Sequence, residues 1–129
     1  YPDDFILGAD TVVSIQNEIL GKPHDKDEAI SMLKKLSAAT HQVYTGVTIA
    51  AKGSVHSFFD VTEVTFWELS QQDIETYIES GEPYDKAGGY GIQGKGAYLV
   101  KEIKGDFYCV MGLPLSKTIR ALKKCGFPL

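Results

Sequence analysis

The sequence has few cysteines and no long apolar run. Its two cysteines, Cys109 and Cys125, form no Cys-x-x-Cys pair. This spacing favours neither a zinc site nor a disulfide framework, so we expect two buried thiols in a reducing compartment. No apolar segment approaches the roughly 20 residues that cross a bilayer, and the first residues show no signal-peptide pattern. The sequence therefore predicts a cytoplasmic protein without a membrane partner.

Basic residues are in the minority. Lys and Arg number 13 against 17 Asp and Glu, which gives a formal net charge of -4. Proteins that bind nucleic acids usually carry a basic stripe that neutralises phosphates, so we expect no nucleic-acid partner. A small polyphosphate stays compatible with this charge, because a metal ion and a few local lysines can supply the positive charge.

Histidine and serine motifs are missing as well. His24, His41 and His56 lack the spacing of metal ligands, and they are expected as surface or hydrogen-bonded side chains. No serine stands in a Gly-x-Ser-x-Gly elbow. The sequence supports neither a histidine-bound metal nor hydrolysis by a serine triad.

Apolar residues make up 43% of the 129 residues, which suffices for one compact core. We therefore predict a single domain over residues 1–129. The chain does not begin with methionine, and the apolar run 5–7 follows almost at once. The domain is expected to be incomplete at its N-terminus.

Three segments carry helix patterns with their own start and stop signals. Asp25 followed by Glu28 fits a capping box, and Ser70 followed by Asp73 fits another. Pro114 suits the first turn of the last helix, which we expect to bury Leu115, Ile119 and Leu122. The predicted helices are 25–38, a segment from 70 to the stop signal at 81, and a segment from 114 to about 125.

Runs rich in valine, isoleucine, threonine and aromatics predict strands between these helices. Three hairpins are expected, with turns near 17–18, 52–53 and 104–106. Hairpins interspersed with helices indicate an α/β fold with a mixed sheet, not a regular βαβ repeat. The predicted strands are 5–13, the short return to 20, 43–50, 55–67, 97–103 and 107–111.

Residues 80–96 are densest in glycine and charge. Gly89, Gly91 and Gly94 match G-x-G-x-x-G, but the pattern follows a predicted helix and precedes a predicted strand, the reverse of a dinucleotide site. Gly96 stands where a P-loop needs serine or threonine. The segment is either a glycine loop that brings backbone N–H groups to a ligand or a solvated connection. Its charged and polar edge consists of Glu82, Asp85, Lys86, Gln93 and Lys95.

Two further candidates lie near the N-terminus. Asp10 stands among small residues after an apolar run, where a carboxylate could bind Mg²⁺ or accept a proton from water. The alternative is a salt-bridge partner in a strand. Lys22 lies between Gly21 and Pro23 in the loop before the first helix, and it could contact phosphate or be solvated.

Several short motifs occur together in the order and approximate spacing of the Maf family of nucleotide pyrophosphatases. The resemblance extends over residues 5–126. It implies an inosine-triphosphatase-like α/β fold with a highly twisted sheet, flanking helices and a long cleft. It also implies a cytoplasmic homodimer that cleaves nucleoside triphosphates to monophosphate and pyrophosphate with Mg²⁺ or Mn²⁺. The motifs are Gly8-Ala9-Asp10-Thr11-Val12-Val13, Gly21-Lys22-Pro23, Thr45-Gly46-Val47, the block 81–88, Gly91-Ile92-Gln93-Gly94 and Gly112-Leu113-Pro114-Leu115.

The resemblance assigns roles to the polar residues of these motifs. Asp10 resembles the family's proton acceptor, which activates water for attack on the α-phosphorus and is also a candidate metal ligand. Asp85 resembles a metal-linked partner. Lys22 and Lys86 resemble the lysines that neutralise phosphate charge.

Thr11 and Gln93 resemble the pair that marks the subfamily acting on dTTP and UTP. A glutamine amide both donates and accepts, which suits the O4 and N3–H edge of thymine or uracil. The resemblance therefore favours pyrimidine over guanine nucleotides as substrates.

One departure from the family is large. Members begin with a Ser-x-Ser-Pro-Arg-Arg loop that binds the triphosphate, and a segment after it supplies a further glutamate and lysine; this sequence contains none of these. Because clustered cations stabilise charge in phosphoryl-type chemistry, we expect the chain alone to be weakly active or inactive.

Two alternatives to an enzyme stay open. The family is also linked to septum formation, so a nucleotide-binding regulator of cell division that needs no hydrolysis is the first. An interaction module without a small-molecule site is the second, with Tyr84, Tyr90 and Tyr98 as interface aromatics.

Overall fold

Five strands form one sheet in the computed structural model, which describes residues 5–51 and 53–128. The strand order is β2-β1-β3-β4-β5, and each described pairing is antiparallel. The long neighbours β3 and β4 pair in an unbroken register from Thr40 opposite Thr65 to Ala51 opposite Ser54. The strands are β1 Phe5–Ile15, β2 Glu18–Leu20, β3 Thr40–Ala51, β4 Ser54–Phe66 and β5 Val100–Lys104.

The central strand β3 shows why helices cover one face of the sheet. Side chains alternate between the two faces of a strand, and the alternate residues from His41 to Ile49 are buried. The residues between Val43 and Ile49 that point the other way, Tyr44, Gly46 and Thr48, are exposed. The helices follow as α1 Lys26–Leu36, α2 Gln71–Glu79, α3 Phe107–Met111 and α4 Leu115–Lys124.

The first two helices begin at their predicted N-caps, but within the described residues only the second forms the predicted capping box. The Asp25 carboxylate accepts the N–H of Glu28, and Ser70 with Asp73 forms a reciprocal capping box. Each such cap is worth about 1 kcal/mol. In α2 the residues Ile74, Tyr77 and Ile78, which share one face of the helix, are buried. Both helices thus contribute one apolar face to the core.

The core has two parts. The larger cluster joins α1 and α2 to the sheet and includes Leu33, Leu36 and Phe66, each at most 1% exposed. Burying one such side chain stabilises the fold by roughly 1.5–3 kcal/mol. A smaller cluster lies under α4, where Val47 and Ile49 of β3 meet Ala121. Within the described residues, none of the helices is long and apolar enough to cross a membrane.

The α/β class with flanking helices is confirmed. The sheet is antiparallel in every described pairing, where the sequence predicted a mixed one. Consecutive strands β1 and β2, and β3 and β4, pair as hairpin arms. The longer connections through α1 and through α2 also return β3 beside β1 and β5 beside β4 in the antiparallel direction. The turn predicted at 52–53 falls partly outside the described residues, since Lys52 is not described. At the second position of this predicted turn, Gly53 has a φ of 78°, in the left-handed region that favours glycine. Cys109 and Cys125 are free, but only Cys109 is buried.

Three predictions near the C-terminus are wrong. Phe107–Met111 is helix α3, not a strand, because the Asp106 carboxylate caps it by accepting the N–H of Tyr108 at 2.8 Å. Val100 begins β5 directly after a 3-10 turn, so residues 97–99 are not strand either. In α4 the buried residues are Thr118 and Ala121; the predicted face, Leu115, Ile119 and Leu122, is exposed or half-buried.

Candidate active site

One cavity of about 510 Å³ brings the predicted site residues together. Its volume falls within the roughly 300–1,000 Å³ typical of small-molecule sites. Residues from β1, the loop before α1, the glycine-rich segment and α3 line it. The predicted residues among them are Asp10, Thr11, Lys22, Asp85, Lys86 and Gln93.

The strand wall of this cavity consists of Asp10, Thr11 and Val13 of β1 with Val43 of β3. Thr11 pairs with Thr45 across the two strands, and Val13 pairs with Val43. Since side chains alternate along a strand, Asp10 leaves β1 on the face opposite Thr11. Asp10 is exposed and also borders a shallow depression beside Gly46. Asp10 therefore lies at the rim of the cavity, whereas Thr11 is half-buried.

Hydrogen bonds fix both polar residues of the strand wall. The Asp10 carboxylate accepts the N–H of Thr11 at 3.0 Å. The Thr11 hydroxyl lies 3.0 Å from the hydroxyl of Thr45. Thr45 in turn donates to the carbonyl oxygen of Cys109 at 2.8 Å. This chain of contacts ties β1 through β3 to helix α3.

The loop wall, residues 82–96, lies across the cavity and is built from short 3-10 turns. Gly88 and Gly94 have φ values of 74° and 66°, a region that favours glycine. A Cβ at Gly88 would meet Val13 at 3.0 Å, and one at Gly96 would lie 1.7 Å from the carbonyl oxygen of Gly91. Glycine at these positions therefore allows the loop to pack on the strand wall and on itself.

Two buried tyrosines hold the loop wall in place. The Tyr77 hydroxyl of α2 accepts the N–H of Gly91 at 2.9 Å. The Tyr90 hydroxyl lies 2.5 Å from Nε2 of His41 on β3. Burial raises the pKa of Tyr77 to about 12, and burial also raises the pKa of Tyr90. Burial lowers the pKa of His41 to about 4, so the imidazole is neutral at pH 7.

Side chains of the loop wall also support one another. The Glu82 carboxylate accepts the N–H of Lys95 at 3.2 Å. The side chain of Lys86 lies across Gly91, where a Cβ would come within 2.5 Å of its Cε. Glycine at position 91 thus leaves room for the lysine to extend along the cavity.

The charges around the cavity suit a metal-bound polyphosphate. Three carboxylates and two ammonium groups line it, those of Asp10, Glu82, Asp85, Lys22 and Lys86. Mg²⁺ prefers oxygen ligands and is commonly held by one or two carboxylates together with substrate phosphates and water. The described residues contain no group of three or more metal-binding side chains, and a site of this open kind does not need one. Asp10 and Asp85 both line the cavity, and carboxylates are the side chains with which proteins commonly bind such a cation.

Part of the apolar lining of the cavity was missed from the sequence. Val110 and Met111 line the cavity from α3, which was predicted as a strand. Tyr90 is 5% exposed and is therefore no surface aromatic, contrary to its place among the predicted interface residues. Of the other two, Tyr84 packs on the core and Tyr98 is exposed. The sequence did contain one signal for α3: Asp106, a residue type that commonly caps helices, stands directly before Phe107–Met111.

Comparison with known proteins gives a consistent result. A family model described as Maf-like protein matches residues 1–125. A Halalkalibacterium halodurans protein named dTTP/UTP pyrophosphatase is 58% identical over 127 residues, 98% of this chain and 67% of the relative. Proteins of the same name from Bacillus velezensis and Bacillus pumilus are 60% and 54% identical, over 95% and 97% of this chain and 65% and 66% of their own lengths.

The chain thus spans about two thirds of the length of the curated relatives it matches. The family model covers nearly every residue, including both walls of the cavity. The sequence resemblance, the fold and the relatives agree, and the chain belongs to the Maf family.

Proposed function

We propose that this chain carries the catalytic centre of a pyrophosphatase that hydrolyses dTTP and UTP to the monophosphate and pyrophosphate. The observation that carries the proposal is the single cavity in which all six motif-matched polar residues meet. The names of the relatives, dTTP/UTP pyrophosphatase, support the substrate class. The residue roles rest on the family resemblance and on the position of each side chain.

The two ends of the substrate match two parts of the cavity. Half-buried Thr11, the apolar side chains of Val43 and Val110, and the amide of Gln93 suit a pyrimidine ring with polar edges. The exposed ammonium group of Lys22 and the other charged groups lie where a triphosphate would remain solvated. We therefore place the base between the walls and the phosphates at the rim.

The proposed reaction is the attack of water on the α-phosphorus. The Asp10 carboxylate accepts a proton from the water as the new bond between oxygen and phosphorus forms. The bond from the α-phosphorus to the oxygen that bridges to the β-phosphate breaks, and pyrophosphate leaves. Lys22 and Lys86 stabilise the negative charge of the phosphate oxygens.

A divalent cation completes the proposed site. Asp10 and Asp85 would hold Mg²⁺ or Mn²⁺, which would neutralise phosphate charge and polarise the reacting phosphate. The contribution of the chain is to present these carboxylates in one cavity with Lys22 and Lys86. Homodimer formation and a cytoplasmic location, both implied by the resemblance, belong to the same proposal.

Pyrophosphate release from dTTP, UTP, CTP and GTP with Mg²⁺ tests the function. The assay compares this chain with a version preceded by the N-terminal segment of a relative that carries the Ser-x-Ser-Pro-Arg-Arg loop. We expect turnover of dTTP and UTP by the extended version and little by the chain alone.

Asp10→Asn in the extended version should lower kcat by about 100- to 10,000-fold, the usual contribution of a general base. Asp27→Asn, a matched change at an exposed position in the first turn of α1, should leave kcat unchanged. Equal turnover in the two variants would contradict the role of Asp10. Nucleotide binding without any turnover would favour the regulator over the enzyme.

A further inference from the structure

Thr45 lies behind the strand wall and connects it to the rest of the fold. Its side chain is fully buried, and Thr45 is not part of the cavity lining. Its hydroxyl nevertheless contacts the half-buried hydroxyl of Thr11, which does line the cavity. Any influence of Thr45 on a ligand must therefore pass through Thr11.

The direction of these hydrogen bonds follows from their chemistry. A carbonyl oxygen only accepts, so at 2.8 Å the Thr45 hydroxyl must donate its single hydrogen to Cys109. No hydrogen then remains on Thr45 for Thr11. The Thr11 hydroxyl must donate across the 3.0 Å contact to Thr45. Toward the cavity Thr11 presents lone pairs only.

The last acceptor in this series of hydrogen bonds, the carbonyl oxygen of Cys109, is held in place by the packing of α3. Cys109 is fully buried, and its thiol lies 3.6 Å and 3.5 Å from the carbonyl oxygens of Val43 and Asp60. The amide of Gly112 also donates to the carbonyl oxygen of Cys109, at the C-terminal end of α3. An acceptor held in this way keeps the Thr45 hydroxyl in one orientation.

We propose that Thr45 is a positioning residue that sets the direction of the Thr11 hydroxyl and thereby makes Thr11 an obligatory acceptor. The cavity then selects pyrimidines with an N3–H donor, namely uracil and thymine. Cytosine presents a lone pair at N3, and that lone pair would face the lone pairs of Thr11. This inference rests on the proposed function and adds a mechanism of base selection to it.

Calorimetric titration of the chain with UTP and with CTP, in the presence of Mg²⁺, tests the inference. The unmodified chain should prefer UTP. In Thr45→Val the Thr11 hydroxyl loses its acceptor and can rotate to donate to cytosine. We expect the preference for UTP to fall by about tenfold, within the usual cost of an unpaired buried polar group. Thr45→Ser keeps the hydroxyl and should restore the preference to within about twofold of the unmodified chain.

A double-mutant cycle separates positioning from a general loss of structure. If Thr45 acts only through Thr11, Thr11→Val alone and Thr11→Val with Thr45→Val should show the same ratio of affinities for UTP and CTP. Additive effects would contradict the inference, as would an unchanged ratio in a folded Thr45→Val variant.

A modified nucleotide tests the same point without any variant. N3-methyl-UTP lacks the donor and should bind the unmodified chain as weakly as CTP, whereas binding as tight as that of UTP would overturn the inference. A chain that binds UTP and CTP equally would contradict the inference alone. An extended version, preceded by the N-terminal segment of a relative, that binds neither nucleotide would contradict the proposed function, and the inference with it.

Discussion

The two walls of the cavity are built in different ways. The strand wall is fixed by sheet register, which places Thr11 opposite Thr45 and Val13 opposite Val43. The loop wall lies outside the sheet, and its backbone is held by glycine conformations and by the hydroxyls of two buried tyrosines, Tyr77 and Tyr90. The strand wall thus depends on many equivalent backbone bonds, and the loop wall depends on a few individual contacts.

This difference predicts where the site is sensitive to single substitutions. A methyl group added on the surface of a strand can project into open space, because the sheet fixes the backbone independently of that side chain. In the loop wall the backbone packs against itself, so one methyl group can displace several lining residues. Substitutions that add a methyl group at matched glycines therefore compare the walls directly.

Gly96→Ala should have the largest effect. A Cβ there would lie 1.7 Å from the carbonyl oxygen of Gly91, so the backbone that carries Gln93 must move. Displacing this backbone removes hydrogen-bonding groups from the cavity, each worth about 1 kcal/mol, and we expect UTP with Mg²⁺ to bind at least about tenfold more weakly in calorimetric titration. The matched substitution on β1, the strand that carries most of the strand wall, is Gly8→Ala. A Cβ at Gly8 would meet nothing within 4 Å, so this variant should bind UTP within about twofold of the unmodified chain.

Similar UTP affinities in the Gly96→Ala and Gly8→Ala variants would show that the loop wall takes no part in binding. Circular dichroism of both variants provides the folding control. The sheet and helices α1 and α2 do not pass through position 96, so we expect their signal to persist.

A smaller, pH-dependent effect is expected where the walls meet. His41 on β3 contacts Tyr90 of the loop wall and is fully buried. Burial lowers its pKa from 6.5 to about 4, so below pH 6.5 the unfolded chain takes up a proton that the folded chain does not. Stability from this group is complete above pH 6.5 and is lost as the pH falls toward 4. The unfolding free energy falls by roughly 3 kcal/mol, because each unit of pKa difference between the folded and unfolded chain corresponds to about 1.4 kcal/mol.

Denaturant unfolding of the unmodified chain and of His41→Gln measures this contribution. Glutamine retains a polar partner for the Tyr90 hydroxyl but does not titrate. The unmodified chain should lose more unfolding free energy than the variant between pH 6.5 and 4, while the two should change in parallel above pH 7. Parallel behaviour over the whole range would show that His41 is not the titrating group.

The strand wall was largely predictable from the sequence. The apolar run from Phe5 predicted the strand, the small residues beside Asp10 made its carboxylate a candidate for metal binding or proton transfer, and motif resemblance supplied Thr11. Alternation within β1 also explains why Asp10 lies at the rim. The contact between Thr11 and Thr45 required the register of β1 and β3, which local patterns do not specify.

The loop wall was predictable in composition but not in form. Its glycines predicted a loop, either beside a ligand or as a solvated connection, but not the contact of Tyr90 with His41, which joins residues 49 positions apart. Helix α3 was missed because aromatic and β-branched residues in Phe107–Met111 favour a strand, whereas the Asp106 cap and tertiary packing favour a helix. The apolar lining from Val110 and Met111 was missed with it.

The central claim is that both walls bind one pyrimidine nucleotide, and amide NMR of the ¹⁵N-labelled chain tests it most directly. Titration with UTP and Mg²⁺ should shift the amide signals of Thr11 in the strand wall and of Gly91 and Gln93 in the loop wall, at a common dissociation constant. Signals of α1 residues that face away from the cavity, such as Lys34, should stay unchanged. Shifts confined to one wall, or none at either wall, would contradict the account.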